Sequence, residues 1–438
     1  MRQAAPATPA IIYDATRLFI GAASRTPRGI DRVDFDYASH LLETWPGEVF
    51  ALLPTPWGVR LFDRARSARA LSFLQAHWRE RGDADHDPAL RLVRSRLSGE
   101  DPGPAPSRRA QGGLRAAWRQ FGMIRATGPS VGRSARRAAP HGSIYLNVGQ
   151  IGFAAAMTTP WLRRRPDMQA IFLVHDVIPI EHPEFVTAAG LRSARLMLEV
   201  VREHATGLIL STEAAHGSVL RTLGRVPPPA TLTVPLPIAP VFLSREPADP
   251  GLLAQRYFIY CGAIDPRKNH LLLLEVWRRL QARLGVATPK LVIAGSAAAA
   301  GGAIMQQLQD CGALRPYVIV ASGLSSPALR RLLAHARALV FPSLAEGFGL
   351  PVIEALTLDT PVILSDLPAL REAAGGRGIY LRPDDVDGWA ATIETLAQDD
   401  TALAGLREDI DGFRPMTAPA YFETVRDFLL SLGPRRVA

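Results

Sequence analysis

The sequence predicts two doubly wound α/β domains facing each other across a cleft, and three observations carry that prediction. Short apolar, β-branched runs alternate with helical patterns, which is how buried parallel strands and their covering helices read. The alternation occurs twice. Between the two series, residues 241–256 (VFLSREPADPGLLAQR) break the rhythm with proline, glycine and charge, as an interdomain linker does. A chain of 438 residues has room for two or three domains of ordinary size.

The first series gives a domain over residues 11–243. IIYDAT is a strand, residues 24–29 are a loop and residues 30–43 a helix; GEVFALLPT and GVRLF are further strands. An arginine-rich insertion follows, over about 83–142. Its first part, 83–113, is rich in Asp, Pro, Gly and Arg and reads as irregular, whereas Leu114, Trp118, Phe121 and Arg125 recur at helical spacing. Next come the strands SIYLNVG and IFLVHD, the second running into the loop VIPIEHPEF. The helix ARLMLEVVREHA, the strand GLILST, the helix EAAHGSVLRTLG and the short strand TLTVPLP complete the domain.

The second series gives a domain over 247–410. YFIYCGAI is a strand, NHLLLLEVWRRLQARL a helix, and KLVIAGS and YVIVASG strands. PALRRLLAHARA is a helix with Ser326 as N-cap and Pro327 in its first turn. ALVFPS, LPVIEALTL and PVILSD are strand, helix and strand; GIYLRPDD and GWAATIETLAQD close the series. In such sheets ligands bind at the carboxyl ends of the strands, here the edges that line the cleft.

Composition excludes several classes. With 47% hydrophobic and 21% charged residues there is apolar material for large cores, so the chain is not mostly disordered. Two cysteines, Cys261 and Cys311, exclude a disulfide scaffold and fit a reducing compartment. No window of about 18 apolar residues is free of charge, and the run around Ile11 breaks at Asp14. The expectation is a cytoplasmic protein. The net charge of 50 − 41 = +9 has one source: eleven arginines against Glu100 and Asp101 between residues 91 and 137, 11 − 2 = +9. Only Lys268 and Lys290 are lysines.

Two segments carry chemistry. In FPSLAEGFGLPVIEALTLDTPVILS a strand ends at Ser343 and a helix begins near Leu350. The glycines of Gly347-Phe348-Gly349 let backbone N–H groups approach an anion at the helix N-terminus, whose dipole favours negative charge. Glu346, on the loop, and Glu354, placed on the first helical turn, repel phosphate but suit hydroxyl pairs. A ligand bearing both phosphate and sugar hydroxyls, a sugar nucleotide, meets both demands. The second segment, YCGAIDPRKN, sets Arg267 and Lys268 at a strand's carboxyl end, beside a helix N-terminus whose dipole opposes cations. Their placement favours a diphosphate, forked hydrogen bonds coming from Arg and a compact charge from Lys.

EGFGLPVIEA, GAIDPRKNH and PVILSDLPALRE together resemble the retaining family 4 glycosyltransferases of the GT-B fold, over about residues 257–396. His175-Asp176-Val177-Ile178-Pro179 with His182-Pro183, and Gly29-Ile30-Asp31-Arg32-Val33, resemble loops of a mannosyltransferase-like bacterial subset that builds polysaccharides. The resemblance implies that Arg267 and Lys268 hold the donor diphosphate and stabilise the leaving group. It puts Glu354 on the ribose and Glu346 on the transferred sugar. The backbone of Gly347, Phe348, Gly349 and Leu350 would touch phosphate and sugar, and Gly29 would lie under the phosphates. His175 would stand at the reaction centre, and Gly323-Leu324-Ser325 would border the nucleobase. The first domain would bind the acceptor, and residues 415–438 would pack back on it.

The implied reaction is retaining transfer of a hexose, mannose from GDP-mannose favoured, to a polyprenyl-diphosphate-linked oligosaccharide in surface or exopolysaccharide synthesis. Growing charge on the β-phosphate would meet Arg267, Lys268 and the helix N-terminus, so no cofactor and no metal is expected. A metal-dependent transferase would need Asp-X-Asp after a strand; Asp34-Phe35-Asp36 falls in a helix and Asp83-Ala84-Asp85 in a loop, and both read as solvated charge. The basic segment 91–137 suits a solvated insertion or docking on an anionic membrane at its inner face, with no nucleic acid expected. A sugar-nucleotide epimerase of the same fold, and a non-enzymatic nucleic-acid or envelope-binding protein, are the competing readings.

Overall fold

The computed structural model describes residues 8–22, 29–55, 57–78, 84–100, 122, 125, 128, 132–244, 246–310 and 312–432. The first sheet is built from β1 (Ile11–Asp14), β2 (Val49–Thr55), β3 (Gly58–Phe62), β4 (Arg133–Ser134), β5 (Ile144–Asn147), β6 (Gln169–Leu173), β7 (Gly207–Leu210) and β8 (Ala230–Thr233). Its strand order is β4-β3-β2-β1-β5-β6-β7-β8. β2 through β8 in that order run parallel; β3 and β4 are an antiparallel edge. The second sheet holds β9 (Tyr257–Cys261), β10 (Lys290–Ala294), β11 (Val318–Ala321), β12 (Leu339–Phe341), β13 (Val362–Ser365) and β14 (Ile379–Leu381). Its order is β11-β10-β9-β12-β13-β14, all parallel.

The strands form this way because they are apolar on both faces. Every residue of β1, β5, β6, β7, β9 and β13 is buried, which requires helices above and below. In the second domain Trp277, on the helix His270–Leu284, is fully buried and donates its indole N–H to the Pro289 carbonyl at 2.7 Å. The order reverses between β1 and β5 in one sheet and between β9 and β12 in the other. Those reversals put a crevice at the carboxyl ends of the flanking strands.

The chain crosses between the domains more than once. After the second sheet, the helix Ala418–Ser431 returns to the first domain. Tyr421 and Tyr37 share a hydroxyl hydrogen bond of 2.7 Å, and Phe422 stacks on His40 with ring centroids 4.0 Å apart.

Residues 84–100 correct the sequence reading in two ways. They are not irregular: residues Pro88–Leu97 form a helix, N-capped by Asp87, that buries Leu90, Val93 and Leu97. Nor do they sit on the first domain. The helix packs on β11 and on the helix Ser326–His335 of the second. Its apolar stripe was hidden by the surrounding charge. The later part of the insertion does return to the first domain, where Arg133–Ser134 pairs with β3. The expected stripe Leu114, Trp118 and Phe121 lies outside the described residues. No described helix is long and apolar enough to cross a membrane.

Candidate active site

On the first domain, β6 delivers His175 and Asp176 to the cleft edge. The His175 backbone N–H donates to the Gln150 side chain at 2.8 Å, and the Gln150 amide donates to the Asp176 carbonyl at 2.7 Å. The imidazole Nε2 lies 3.2 Å from the Val148 carbonyl. A carbonyl only accepts, so Nε2 carries the hydrogen and Nδ1 is left as an acceptor. Burial, followed by the nearby Arg17 charge, pushes the His175 pKa down to about 3. The ring is therefore neutral at physiological pH and suited to accept a hydroxyl hydrogen bond.

That depressed pKa has a measurable consequence. Between about pH 3 and about 6.5, the unfolded chain holds a proton on this ring that the folded one does not. Its contribution to stability therefore falls as pH falls through that window. Between pH 7 and pH 5 the wild type is expected to lose about 2 kcal/mol relative to His175→Gln, read by urea unfolding at each pH. Parallel stability curves for the two proteins would refute it.

Beneath His175 lies a polar floor. Asp14, at the end of β1, accepts from the Tyr145 hydroxyl (2.7 Å), Asn147 (3.1 Å) and Thr158 (2.8 Å). Arg17 pairs with Asp31 at 2.7 Å and donates to the Gly149 carbonyl at 2.8 Å. Asp34 is not solvated, contrary to the sequence reading. It is fully buried beside the Tyr13 hydroxyl, and burial above all raises its pKa to about 7. Asp85 is solvent-exposed, as read, and pairs with Arg94 at 3.5 Å and with Arg331. Asp83 lies outside the described residues.

On the second domain, the loop after β9 turns at Pro266–Lys268 and presents Arg267 and Lys268. Both meet Glu346, which follows β12. Arg267 lies 2.9 Å from one carboxylate oxygen and Lys268 Nζ pairs with the other; Arg267 also donates to the Ala345 carbonyl at 2.6 Å. Lys268 also stands 4.7 Å over the Phe341 ring. Burial works to raise the Glu346 pKa, but the two cations overcome it and hold the carboxyl down to about 2. Burial likewise lowers Lys268, against the pull of Glu346. The helix Leu350–Thr357 begins at Gly349, whose φ of +110° suits glycine, and no side chain caps its N-terminus. Glu354 lies on its second turn rather than its first, buried, with Arg32 of the first domain 3.3 Å away. Burial raises the Glu354 pKa and Arg32 opposes that. Cys261 is buried, which pushes its thiol up to about 12 and leaves it unreactive.

The two edges touch. The Gly347 carbonyl accepts from Thr212 at 2.9 Å, and a Cβ added at Gly347 would stand 2.4 Å from the His175 carbonyl. A Cβ on Gly29 would meet Leu350 at 3.3 Å. Glu372 accepts from the N–H groups of Glu213 (2.6 Å) and Ala214 (2.9 Å), capping a first-domain helix from across the cleft. The structure thus brings together His175, Arg267, Lys268, Glu346, Gly347, Phe348, Gly349, Leu350, Glu354 and Gly29. Gly323 and Leu324 lie apart, on the turn after β11, where Ser325 rather than Ser326 is the N-cap. Arg17, Gln150 and Glu372 were missed. Each is a lone polar residue whose partner is distant in sequence. Arg32 was within reach, because it stands in the Gly29–Val33 segment, which opens the helix Gly29–Thr44 rather than forming a loop. Among the described residues no three His, Cys, Asp or Glu side chains cluster as metal ligands.

Two largely parallel sheets, a helix terminus with no side-chain cap and a cation pair opposite a His-Asp loop thus line the cleft. Residues 255–399 match the model for glycosyl transferases group 1. The chain is 28% identical over 240 residues to O-antigen chain mannosyltransferase B of Escherichia coli, covering 53% of this chain and 62% of that protein. It is also 28% identical over 254 residues to the serotype-specific mannosyltransferase WbdA of Escherichia coli, covering 52% of this chain and 30% of that one. The match thus spans less than two thirds of these relatives. Among solved structures, Anabaena HepE in complex with UDP-glucose superposes with a TM-score of 0.60 at 14% identity, over 96% of this chain and 99% of that one. Sucrose-phosphate synthase from Thermosynechococcus elongatus gives 0.60 at 15%, over 97% and 100%. The chain shares the GT-B fold of these structures.

Proposed function

We propose that the protein is a retaining glycosyltransferase that moves a hexose from a nucleoside diphosphate sugar to a lipid-linked oligosaccharide in surface-polysaccharide synthesis. The observation that carries this reading is the buried Arg267–Glu346–Lys268 cluster beside the uncapped N-terminus of the helix Leu350–Thr357. Two cations and oriented N–H groups converge where a leaving diphosphate gains charge, and burial makes each worth more than in water. Glu346 keeps both cations in place until phosphate oxygens compete for them. Glu354 offers its carboxylate to ribose hydroxyls, and the neutral His175 offers Nδ1 to a hydroxyl of the transferred sugar. The departing phosphate oxygen takes the acceptor's proton on the same face, which gives retention. We infer that this charge stabilisation needs no metal.

Mannose from GDP-mannose is the favoured donor; that the Escherichia coli relatives are mannosyltransferases supports the choice of sugar. An acceptor on a polyprenyl diphosphate places the work at the inner face of the cytoplasmic membrane. The test is incubation with UDP-, GDP- and ADP-sugars and a polyprenyl-diphosphate oligosaccharide in anionic vesicles, with EDTA present, followed by NMR of the product's anomeric carbon. A retained anomer from GDP-mannose is expected. An inverted anomer would refute the front-face route, and free sugar nucleotide epimer without transfer would refute the transferase.

A further inference from the structure

On one side of the β9/β12 reversal, the helix after β13 meets the first-domain helix Glu213–Leu223 through Glu372; on the other lie the strand ends of β10 and β11. The diphosphate cluster lies at the β9/β12 reversal, and the sugar end faces His175 and Glu346. The β10 and β11 side holds the turn Gly323-Leu324-Ser325 after β11, which the resemblance puts at the border of the nucleobase. At that turn the second domain does not stand alone.

We infer that residues 84–97 are a strap by which the first domain's chain completes the nucleoside end of the donor site, with Asp87 positioning the turn 323–325. This rests on the donor-site reading above and adds to it a residue that governs nucleoside affinity. The Asp87 carboxylate is divided between two helices. One oxygen accepts from Ala89 (2.8 Å) and Leu90 (3.3 Å) and caps its own helix. The other accepts from the Ser325 N–H at 2.7 Å, across 238 residues of sequence. Both residues are more than nine-tenths buried: Asp87 is 8% exposed and Ser325 7%. Ser325 in turn caps the helix Ser326–His335, and Gly323, at φ +76°, takes a backbone shape that side-chain-bearing residues rarely adopt. One buried carboxylate thus fixes the start of both helices and the tight turn between β11 and the second of them.

The strap is fastened along its length. Leu90, Val93 and Leu97 are at most 2% exposed. Arg94 pairs with Asp249, and Arg331 with Asp85. At the far end Lys290, one of only two lysines, donates to the carbonyls of Arg96 (3.0 Å) and Leu97 (2.6 Å), where a helix C-terminus favours a cation. These contacts tie residues 84–97 to the second domain.

Asp87→Asn separates this role from general stability. The amide keeps one accepting oxygen and puts an NH2 in place of the other. Whichever way it turns, either the cap at Ala89 or the bond to Ser325 is lost. The full-length wild type and variant are titrated by calorimetry with GDP, UDP, ADP and inorganic pyrophosphate, and hydrogen exchange is followed at residues 322–329. The nucleoside diphosphate that the wild type prefers is expected to bind about tenfold more weakly to the variant. Pyrophosphate, which reaches only the cation pair, should bind unchanged, and exchange at 322–329 should quicken. Equal nucleotide binding by both proteins would overturn the strap's role, as would parallel loss of nucleotide and pyrophosphate. A wild type that binds pyrophosphate but no nucleoside diphosphate would instead overturn the donor-site reading, and the strap's role with it.

Discussion

Lys268→Ala is expected to lower kcat about 10²–10³-fold while the protein stays folded. The ammonium is held in a fixed place by the Glu346 carboxylate and the Phe341 ring, so in the proposed reaction it need not reorganise as charge develops on the leaving diphosphate. Removing one preorganised donor of this kind costs roughly 2.7–4 kcal/mol of transition-state stabilisation. The donor's affinity in the ground state should change less, because Arg267 and the helix N-terminus still meet the phosphates. Arg267 also still pairs with Glu346, so the buried carboxylate is not left without a cation. Steady-state kinetics with the natural donor checks the split between kcat and KM. A kcat within threefold of the wild type would show that Lys268 serves only to neutralise Glu346. An unchanged kcat with a raised KM would place it in ground-state binding alone.

Much of this site was legible because its signals are local. A strand, a Gly-Phe-Gly turn and a proline at the first helical turn specify a helix terminus within ten residues, and Leu350 starts its helix where that pattern puts it. The Arg267-Lys268 turn is equally local. The alternating series made the two sheets readable too, since fully buried parallel strands are continuous apolar runs.

What escaped depends on contacts over long separations. Asp87 followed by Pro88 is a readable helix start, but nothing in its neighbourhood says that its second oxygen meets Ser325. The charge around Leu90, Val93 and Leu97 concealed a stripe whose partner is a strand more than 200 residues away. Asp34 was misread for a related reason. Its helix, Gly29–Thr44, buries a face that includes Asp31 and Asp34 as well as Val33, Phe35 and Leu41. Tyr13 and Arg17, contributed by a strand and a short helix before it, make an acidic residue tolerable there. Periodicity identifies which face is apolar, not where a buried carboxylate has found partners.

Gly347→Ala should separate assembly of the domains from assembly of the site. Gly347 has no unusual backbone angle, so alanine is acceptable to its own chain. The obstacle lies in the other domain: an added Cβ would come within 2.4 Å of the His175 carbonyl and 3.0 Å of the Asp176 Cβ. An ordinary contact needs about 1 Å more than the first of these distances. Neither neighbour can give easily, since His175 is anchored through Gln150 and Val148. The cleft must therefore close less far, and an error of roughly 1 Å between reacting groups costs about 10²-fold in rate. The expected result is a kcat reduced about 10²-fold with each domain's thermal unfolding little changed. Gly349→Ala makes the contrast, because at φ +110° and with Leu370 Cδ2 2.8 Å from the new carbon it strains the second domain itself. That variant should lose stability and activity together. If Gly347→Ala also lost both, or kept full activity, the contact between Gly347 and His175 would not be the one that brings the two edges into register.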